Sequence, residues 1–510
     1  MVFQNSFWNV GSYFVGLLVL AVATPIYINL LGLDQFGILT LLATATAPLG
    51  ILSAGVGQAV TKYVAEFKSA GEPDRAIRLV ATTLCLNLVV GLSGFATLWL
   101  AADWVVQRVF KIPPELGAEA RLSICLAGGV WFLMVISGTF QAVIVGLQNF
   151  RLLAIGNALQ QILTHGAGIG VLYLSPRISS LLWWNLGVAG AIMFFWYSRA
   201  KTEFGGLSLL PKWDWESAGL SWRFSMWQIL NSLVGIPANH VDRFLLVTMI
   251  GPAAVGIYGV ALSVQSRVVG LVWSAVGTLF PAASAQLRNE GASERFILIT
   301  GSMMSLVAGG GYAILCVLGP DLLCLWLGES VGRQSGPLLQ VLMLAAILGL
   351  PSAVIYQYLL ATGRTRISTL SNVATTAVTV VASFFWIREA GLRGAAWGGL
   401  LGLALTRPIF HWWVFRHCFQ SVATTTECFR VLYVNLASVL SGLVLGFALH
   451  RWLSGALGLL PGILVSLVAT PVLVYAAIVA VEASVMRRSA MVLQLCSEVW
   501  RKIGRRRPEP

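Results

Sequence analysis

Three arginine residues fall inside long apolar segments of this 510-residue chain. Arg243 follows Pro237 in one such run, and Arg267 and Arg407 fall near the middle of two later runs. A charged side chain at the centre of a membrane helix costs about 2.5–3.5 kcal/mol, so such a position needs a physical reason. A guanidinium group presents its donors in a planar fork that matches phosphate oxygens. These arginines are therefore candidates for binding an anion within the membrane.

Two titratable residues, His240 and Asp242, adjoin Arg243 in the same apolar run. A carboxylate in such a setting is a candidate for protonation that differs between two states of a transporter, so both residues are coupling candidates. The alternative is an ion pair in which Asp242 neutralises Arg243 and fixes packing. Arg267 and Arg407 have no acid within one helical turn, although a neighbouring helix can supply one.

Lys62 is the fourth candidate for contact with an anionic substrate. It precedes Glu66 by four residues at the end of an apolar segment, a spacing that also suits a solvated ion pair on a helix. Both interpretations stay open at this point.

The composition indicates which elements must hold these residues. Hydrophobic residues make up 57% of the chain and charged residues only 10%, whereas charged residues form roughly a quarter of a soluble domain. A span needs about 20 apolar residues, and the long runs here do not alternate as barrel strands do. We therefore predict an all-α polytopic membrane protein and exclude an ordinary soluble globular protein.

Fourteen membrane helices are predicted, and the Lys and Arg residues orient them. With a cytoplasmic N-terminus, the inside loops and tail hold 22 of the 33 cations and the outside loops hold 8, so both termini are expected in the cytoplasm. The predicted helices are centred in 8–30, 37–60, 79–101, 123–146, 153–174, 180–198, 225–249, 254–280, 296–318, 337–360, 367–387, 394–415, 431–453 and 459–482.

The net charge of +13 follows from these short basic loops and the basic tail, so anionic membrane lipids, not nucleic acid, are the expected partner. The seven cysteines have no paired or metal-like spacing, and no glycine cluster is followed by the Lys-Ser/Thr of a phosphate loop. We expect no metal and no cofactor. The outside loops are short and their acids form no compact pair, which argues against an enzyme such as a membrane glycosyltransferase or glycan polymerase.

The chain contains an internal repeat. The segments LLGLDQFGILTLL (30–42) and MIGPAAVGIYGVA (249–261) share two glycines five residues apart, each time followed by Ile. Weaker matches follow in the same order, and the offset spans six predicted helices. Because six is even, the repeats predict two lobes of like orientation, related by an axis along the membrane normal, with a substrate site between them. The predicted parts are an N-terminal lobe (1–200), a cytoplasmic linker (201–225), a C-terminal lobe (226–418), two additional helices (419–484) and a basic tail (485–510).

Four segments carry a resemblance to a known family. These are IYINLLGLDQFGILTLL with GVGQAVTKYVAEF in the first half, and DRFLLVTMIGPAAVGIYGVA with LFPAASAQ in the second. They resemble the polysaccharide transporter or O-antigen flippase (Wzx-type) family, part of the superfamily that also holds multidrug extruders and the lipid II flippase. The resemblance covers most of 1–415.

The resemblance implies two six-helix lobes around a central cavity and transport of undecaprenyl-pyrophosphate-linked glycans across the bacterial inner membrane by alternating access. It also implies that the protein works together with glycan assembly and polymerisation machinery. H⁺ or Na⁺ is a candidate coupling ion. A lipid II flippase and an ion-coupled multidrug extruder are the alternatives within the superfamily. An extruder of cationic drugs should favour acidic residues in its cavity, whereas this chain offers buried arginines.

Overall fold

The fold was obtained as a computed structural model that describes residues 2–46, 49, 56–205, 209–222, 240–276, 301, 304–361, 365–418, 422–457 and 459–485. Within these ranges every regular element is a helix. The predicted bend at Pro237, the first part of predicted helix seven and the basic tail from residue 486 onward lie outside the described residues.

Residues 215–222 are helical, and nine further helices are described in the first half of the chain. They are α1 (Val2–Thr46), α2 (Val56–Ser69), α3 (Pro73–Trp104), α4 (Pro114–Gly146), α5 (Phe150–Gln161), α6 (Gly168–Leu174), α7 (Ile178–Glu203), α8 (Val241–Met249) and α9 (Pro252–Val276). Wider π-helical turns follow α3 at Val105–Val109 and join α5 to α6 at Ile162–Ala167. Pro73 and Pro114 each occupy the first turn, where the missing N–H costs nothing. Asn149 starts α5 by accepting a hydrogen bond from the Leu152 N–H.

The second half contains seven more described helices. They are α10 (Gly310–Leu327), α11 (Glu329–Leu348), α12 (Leu350–Ala361), α13 (Thr365–Ala390), α14 (Leu392–Cys418), α15 (Val422–Leu457) and α16 (Leu459–Val485). A π-helical turn at Ser305–Gly309 leads into α10.

Ten of the described helical stretches are long and apolar enough to cross a membrane. The all-α polytopic class predicted from the sequence is therefore confirmed, whereas the count of fourteen stays a prediction. The ten are Gly11–Thr46, Pro73–Val109, Pro114–Gly146, Ile178–Glu203, Pro252–Val272, Ser305–Leu327, Glu329–Leu348, Thr369–Ala390, Cys428–Ala456 and Pro461–Ala480.

No loop separates the first two predicted helices. α1 runs through the predicted gap and changes direction at Gly32, whose φ of 76° and ψ of 168° are not helical. A positive φ is readily accessible only to glycine. The sequence pattern predicted a loop here, but a single glycine is enough to change the direction of the chain.

The described chain forms two compact units, one of Met1–Val260 with Ser383–Ala395 and the other of Ala261–Ala382 with Ala396–Pro510.

In the first unit, α2, α3, α4 and α7 bury a core that includes Val64, Leu79, Val143 and Trp196. In the second unit, α12, α14 and α15 enclose a core that includes Val354, Leu359, Phe415 and Leu432.

The two repeated glycine motifs contact each other within the first unit. Gly32 and its repeat counterpart Gly251 both have positive φ, 76° and 125°. Five residues later, Gly37 of α1 faces Gly256 of α9 so closely that a Cβ on Gly37 would lie 2.1 Å from the carbonyl oxygen of Pro252. A Cβ on Gly256 would lie 2.7 Å from the carbonyl oxygen of Leu33. Glycine at both positions therefore allows the two helices to approach backbone to backbone.

Candidate functional site

Arg407 has neutral hydrogen-bond partners in the part of the chain that the structure describes. It lies on α14, half-buried, and its guanidinium donates one hydrogen bond to Ser371 Oγ and another to Asn372 Oδ1 on α13, both at 3.1 Å. Among the described residues, no carboxylate lies within 4 Å of it. A buried cation without a counter-ion keeps most of its unfavourable desolvation energy, which an incoming anion would offset.

Further polar side chains continue along the same helix. Thr406 pairs with Thr375 of α13 at 2.9 Å between their hydroxyl oxygens. One turn after Arg407, the fully buried His411 bonds to Ser352 Oγ at 2.9 Å and to the Tyr433 hydroxyl at 3.0 Å. These contacts connect α14 to α12, α13 and α15. The sequence interpretation missed His411, although its place one helical turn from Arg407 in an apolar run was a usable signal.

The Tyr258 hydroxyl lies closer to the Asp242 carboxylate than the Arg243 guanidinium does. The carboxylate accepts a hydrogen bond of 2.6 Å from the Tyr258 hydroxyl on α9 and one of 2.8 Å from the Arg243 backbone N–H. The Arg243 Nε lies 3.9 Å from the Asp242 carboxylate, near the limit for an ion pair. Asp242 therefore connects the start of α8 to α9. His240 precedes α8, and its buried Nδ1 has no hydrogen-bond partner among the described residues.

The other two predicted site residues differ in exposure. Lys62 is exposed on α2, with its ammonium 4.7 Å from the centre of the neighbouring Tyr63 ring, and Glu66 is exposed as well. Arg267 is half-buried on α9. The roles assigned to all six candidate residues stay predictions.

A second titratable cluster was not anticipated. His450 of α15 bonds through Nε2 to Asp321 of α10 at 2.8 Å and through Nδ1 to Ser466 of α16 at 3.1 Å. One imidazole ring thus connects α15 and α16 to α10. The three residues are far apart in sequence, so no spacing rule would have grouped them.

The described helices define a class, that of polytopic helical membrane proteins. The chain belongs to the polysaccharide biosynthesis protein family, whose model matches residues 2–286, more than half of its length.

Curated relatives match over most of their length. The Shigella flexneri protein named "Putative O-antigen transporter" is 20% identical over 422 residues, which is 82% of this chain and 98% of the relative. The Bacillus subtilis protein named "Uncharacterized membrane protein EpsK" is 21% identical over 473 residues, which is 88% of this chain and 85% of the relative.

Solved structures share the fold. The lipid II flippase MurJ in an inward closed conformation aligns with a TM-score of 0.70 and 10% identity, covering 96% of this chain and all of that one. An inward-facing multidrug resistance transporter of the MATE family, from the MOP superfamily, aligns with a TM-score of 0.61 and 15% identity, covering 86% and 96%. This likeness shows the fold, and the family model that matches residues 2–286 confirms the polysaccharide family that the sequence motifs suggested.

Proposed function

We propose that this protein translocates a polyprenyl-pyrophosphate-linked oligosaccharide, such as an O-antigen or exopolysaccharide precursor, across the bacterial inner membrane by alternating access. The carrier lipid of this oligosaccharide is undecaprenyl pyrophosphate, and the translocated product passes to glycan polymerisation machinery. Transport rather than catalysis is the activity.

The observation that carries the proposal is the environment of Arg407. Its hydrogen-bond partners among the described residues, Ser371 and Asn372, are neutral, and this supports a role for its positive charge in binding a negatively charged ligand. A guanidinium fork can donate two parallel hydrogen bonds to oxygens of one pyrophosphate, and the opposite charges attract each other. In this proposal Arg243, Arg267 and Lys62 contact the same anionic group at other stages of transport.

The relatives support the class of substrate. The Shigella flexneri relative is named for O-antigen transport, and lipid II, the substrate of MurJ, is also a glycan on a lipid carrier. Sugars carry many hydroxyl groups that cannot enter hydrocarbon without losing hydrogen bonds to water, so their passage needs a polar route through the protein.

Deletion of the gene in its native host tests the function. We expect the lipid-linked glycan to accumulate inside the cell while its surface polysaccharide disappears, and a plasmid copy to restore both. Continued surface polysaccharide in the deletion strain, with sensitivity to cationic drugs instead, would favour the multidrug extruder. Arrested cell-wall synthesis with normal surface polysaccharide would favour a lipid II flippase.

A coupling role for Asp242 gives a separate prediction. If its protonation differs between the inward and outward states, then Asp242→Asn should lose stimulation of transport by an imposed proton or sodium gradient but keep basal transport. Transport into vesicles with and without the gradient measures this. Asp321→Asn is the matched control, since it also removes a carboxylate held by one close side-chain partner.

An Asp242→Asn protein that responds to the gradient as the parent does would show that Asp242 only holds Tyr258 in place. Loss of the gradient response in Asp321→Asn alone would move the coupling group to the Asp321–His450 pair.

The orientation of the chain is tested by reporter fusions. Because the cations are concentrated in alternate loops, a fusion after Glu482 should be active as a cytoplasmic reporter, and one after Ala390 should be active only as a periplasmic reporter. The opposite pattern would invert the orientation proposed here.

A further inference from the structure

Three tryptophans are exposed on the segment 209–222 between α7 and α8. The exposed fraction is 43% for Trp213, 80% for Trp215 and 57% for Trp222. Tryptophan carries a large apolar ring with one polar N–H, so its most favourable position is the interface between an apolar phase and water.

The segment itself is fixed to the first unit. Leu209 is buried and Leu220 packs against the same core. Thr82 of α3 donates a hydrogen bond to the Lys212 carbonyl oxygen at 3.2 Å and accepts one from the Asp214 N–H at 3.1 Å. The segment thus buries its aliphatic residues against the protein and leaves its tryptophans outward.

Three exposed residues share one face of a helix. Residues 215–222 are helical, and Trp215, Gly219 and Trp222 follow at spacings of four and three residues. All three are exposed. The ring of Trp213 packs edge to face on that of Trp215 with centroids 5.2 Å apart, which extends the aromatic surface. We call Trp213, Trp215 and Trp222 the tryptophan face.

A cap holds the start of this short helix. The hydroxyl and the N–H of Ser217 both donate to the Asp214 carboxylate, at 2.6 and 2.9 Å, and these bonds hold the pKa of Asp214 below its usual range. The cap therefore persists at neutral pH and weakens only as the pH falls through that lowered pKa.

The contacts with α3 place the tryptophan face beside the start of the apolar run of that helix. Thr82 lies one turn after Arg78, the last exposed cation before the buried residues Leu79 and Val80 start the apolar run of α3. Aromatic residues at this depth are typical of the belt between headgroups and hydrocarbon. The distribution of cations assigns this end of α3 to the cytoplasmic side.

We propose that the tryptophan face docks on the lipid bilayer, in the headgroup region of the cytoplasmic leaflet, and anchors the connection between α7 and α8 there. The bilayer is the partner that we expect for this face, because the face adjoins α3, which is long and apolar enough to span the membrane. The nearby charges have both signs, Lys212 and Arg78 with Asp214 and Arg75 with Glu216, so the aromatic rings and not anionic lipid drive the contact.

A depth measurement at Gly219 tests this. A Cβ at Gly219 would meet nothing within 4 Å, so Gly219→Cys accepts a nitroxide label without disturbing the segment. The full-length protein, with its seven native cysteines replaced by serine and its thermal stability retained, is reconstituted in zwitterionic vesicles. We expect the label to collide more with oxygen than with a water-soluble nickel chelate. A label at Ala70→Cys, exposed in the turn after α2, should do the reverse.

Replacing Trp213, Trp215 and Trp222 together with Ser should move the Gly219 label to the aqueous pattern. The proposal is overturned if the Gly219 label behaves like the Ala70 label, if the triple variant leaves it unchanged, or if it reaches lipid only when anionic lipid is added. Spin–spin broadening that disappears on dilution with unlabelled protein would assign the face to a second copy of the chain, which also overturns it.

Discussion

Replacing Arg407 with Ala is expected to reduce glycan export by about 10- to 100-fold, because a hydrogen-bonded charge contributes roughly 1.5–3 kcal/mol to binding. The variant should remain folded, since it removes a cation whose burial no carboxylate compensates among the described residues. Surface polysaccharide and membrane-inserted protein, measured in the same cells, separate loss of transport from loss of protein.

Two further substitutions sharpen this test. Arg407→Lys should restore export only partly, since an ammonium is a point charge without the planar fork. Arg416→Ala is the matched control, because Arg416 lies exposed near the end of the same helix. Export by Arg407→Ala at the parent level would remove Arg407 from the transport route, and an equal loss in Arg416→Ala would show a general effect of charge.

The second large effect is expected at the contact between the repeated glycines. Gly37→Ala would place a methyl group 2.1 Å from the Pro252 carbonyl oxygen, so the backbones of α1 and α9 must move apart. Overpacking of this kind typically costs 1–3 kcal/mol, and backbone yields less readily than a side chain. We expect a clearly lower midpoint of thermal unfolding in detergent, and a similar fall for Gly256→Ala.

Gly187→Ala supplies the matched control. Gly187 also lies inside a membrane helix, α7, but a Cβ there would meet nothing within 4 Å. Alanine favours a helix over glycine by about 1 kcal/mol, so this variant should unfold at or above the parent temperature. If Gly37→Ala and Gly187→Ala unfold at the same temperature, the backbone contact does not hold α1 against α9.

The sequence was sufficient for the fold class because hydropathy is a local property. Long apolar runs require helices in lipid, and the repeat at Gly32 and Gly251 marked positions where the backbone has positive φ. Helix ends were less predictable, since the change of direction at Gly32 needs one residue and not a loop. In the same way, α11 begins at Glu329, eight residues before the predicted start at 337, because charged residues extend the helix beyond the apolar run.

The candidate site was only partly predictable, because partners come from distant parts of the chain. Arg407 could be found from its charge in an apolar run, but its bonds to Ser371 and Asn372 depend on how α13 packs on α14. Asp242 was expected beside Arg243, yet its shortest side-chain bond is to Tyr258, sixteen residues on. A neutral hydroxyl in an apolar run gives no signal until the fold brings it to a carboxylate.

Translocation by the purified protein in liposomes shows whether it moves a lipid-linked glycan by itself. The protein is reconstituted in liposomes with undecaprenyl-pyrophosphate-linked oligosaccharide isolated from its own host, and glycan that reaches the opposite leaflet is measured with a membrane-impermeant glycan-cleaving enzyme. We expect translocation by the parent protein, little by Arg407→Ala, and parent-level translocation by Arg416→Ala. Liposomes in which the parent protein moves none of this lipid above the protein-free rate would contradict the account.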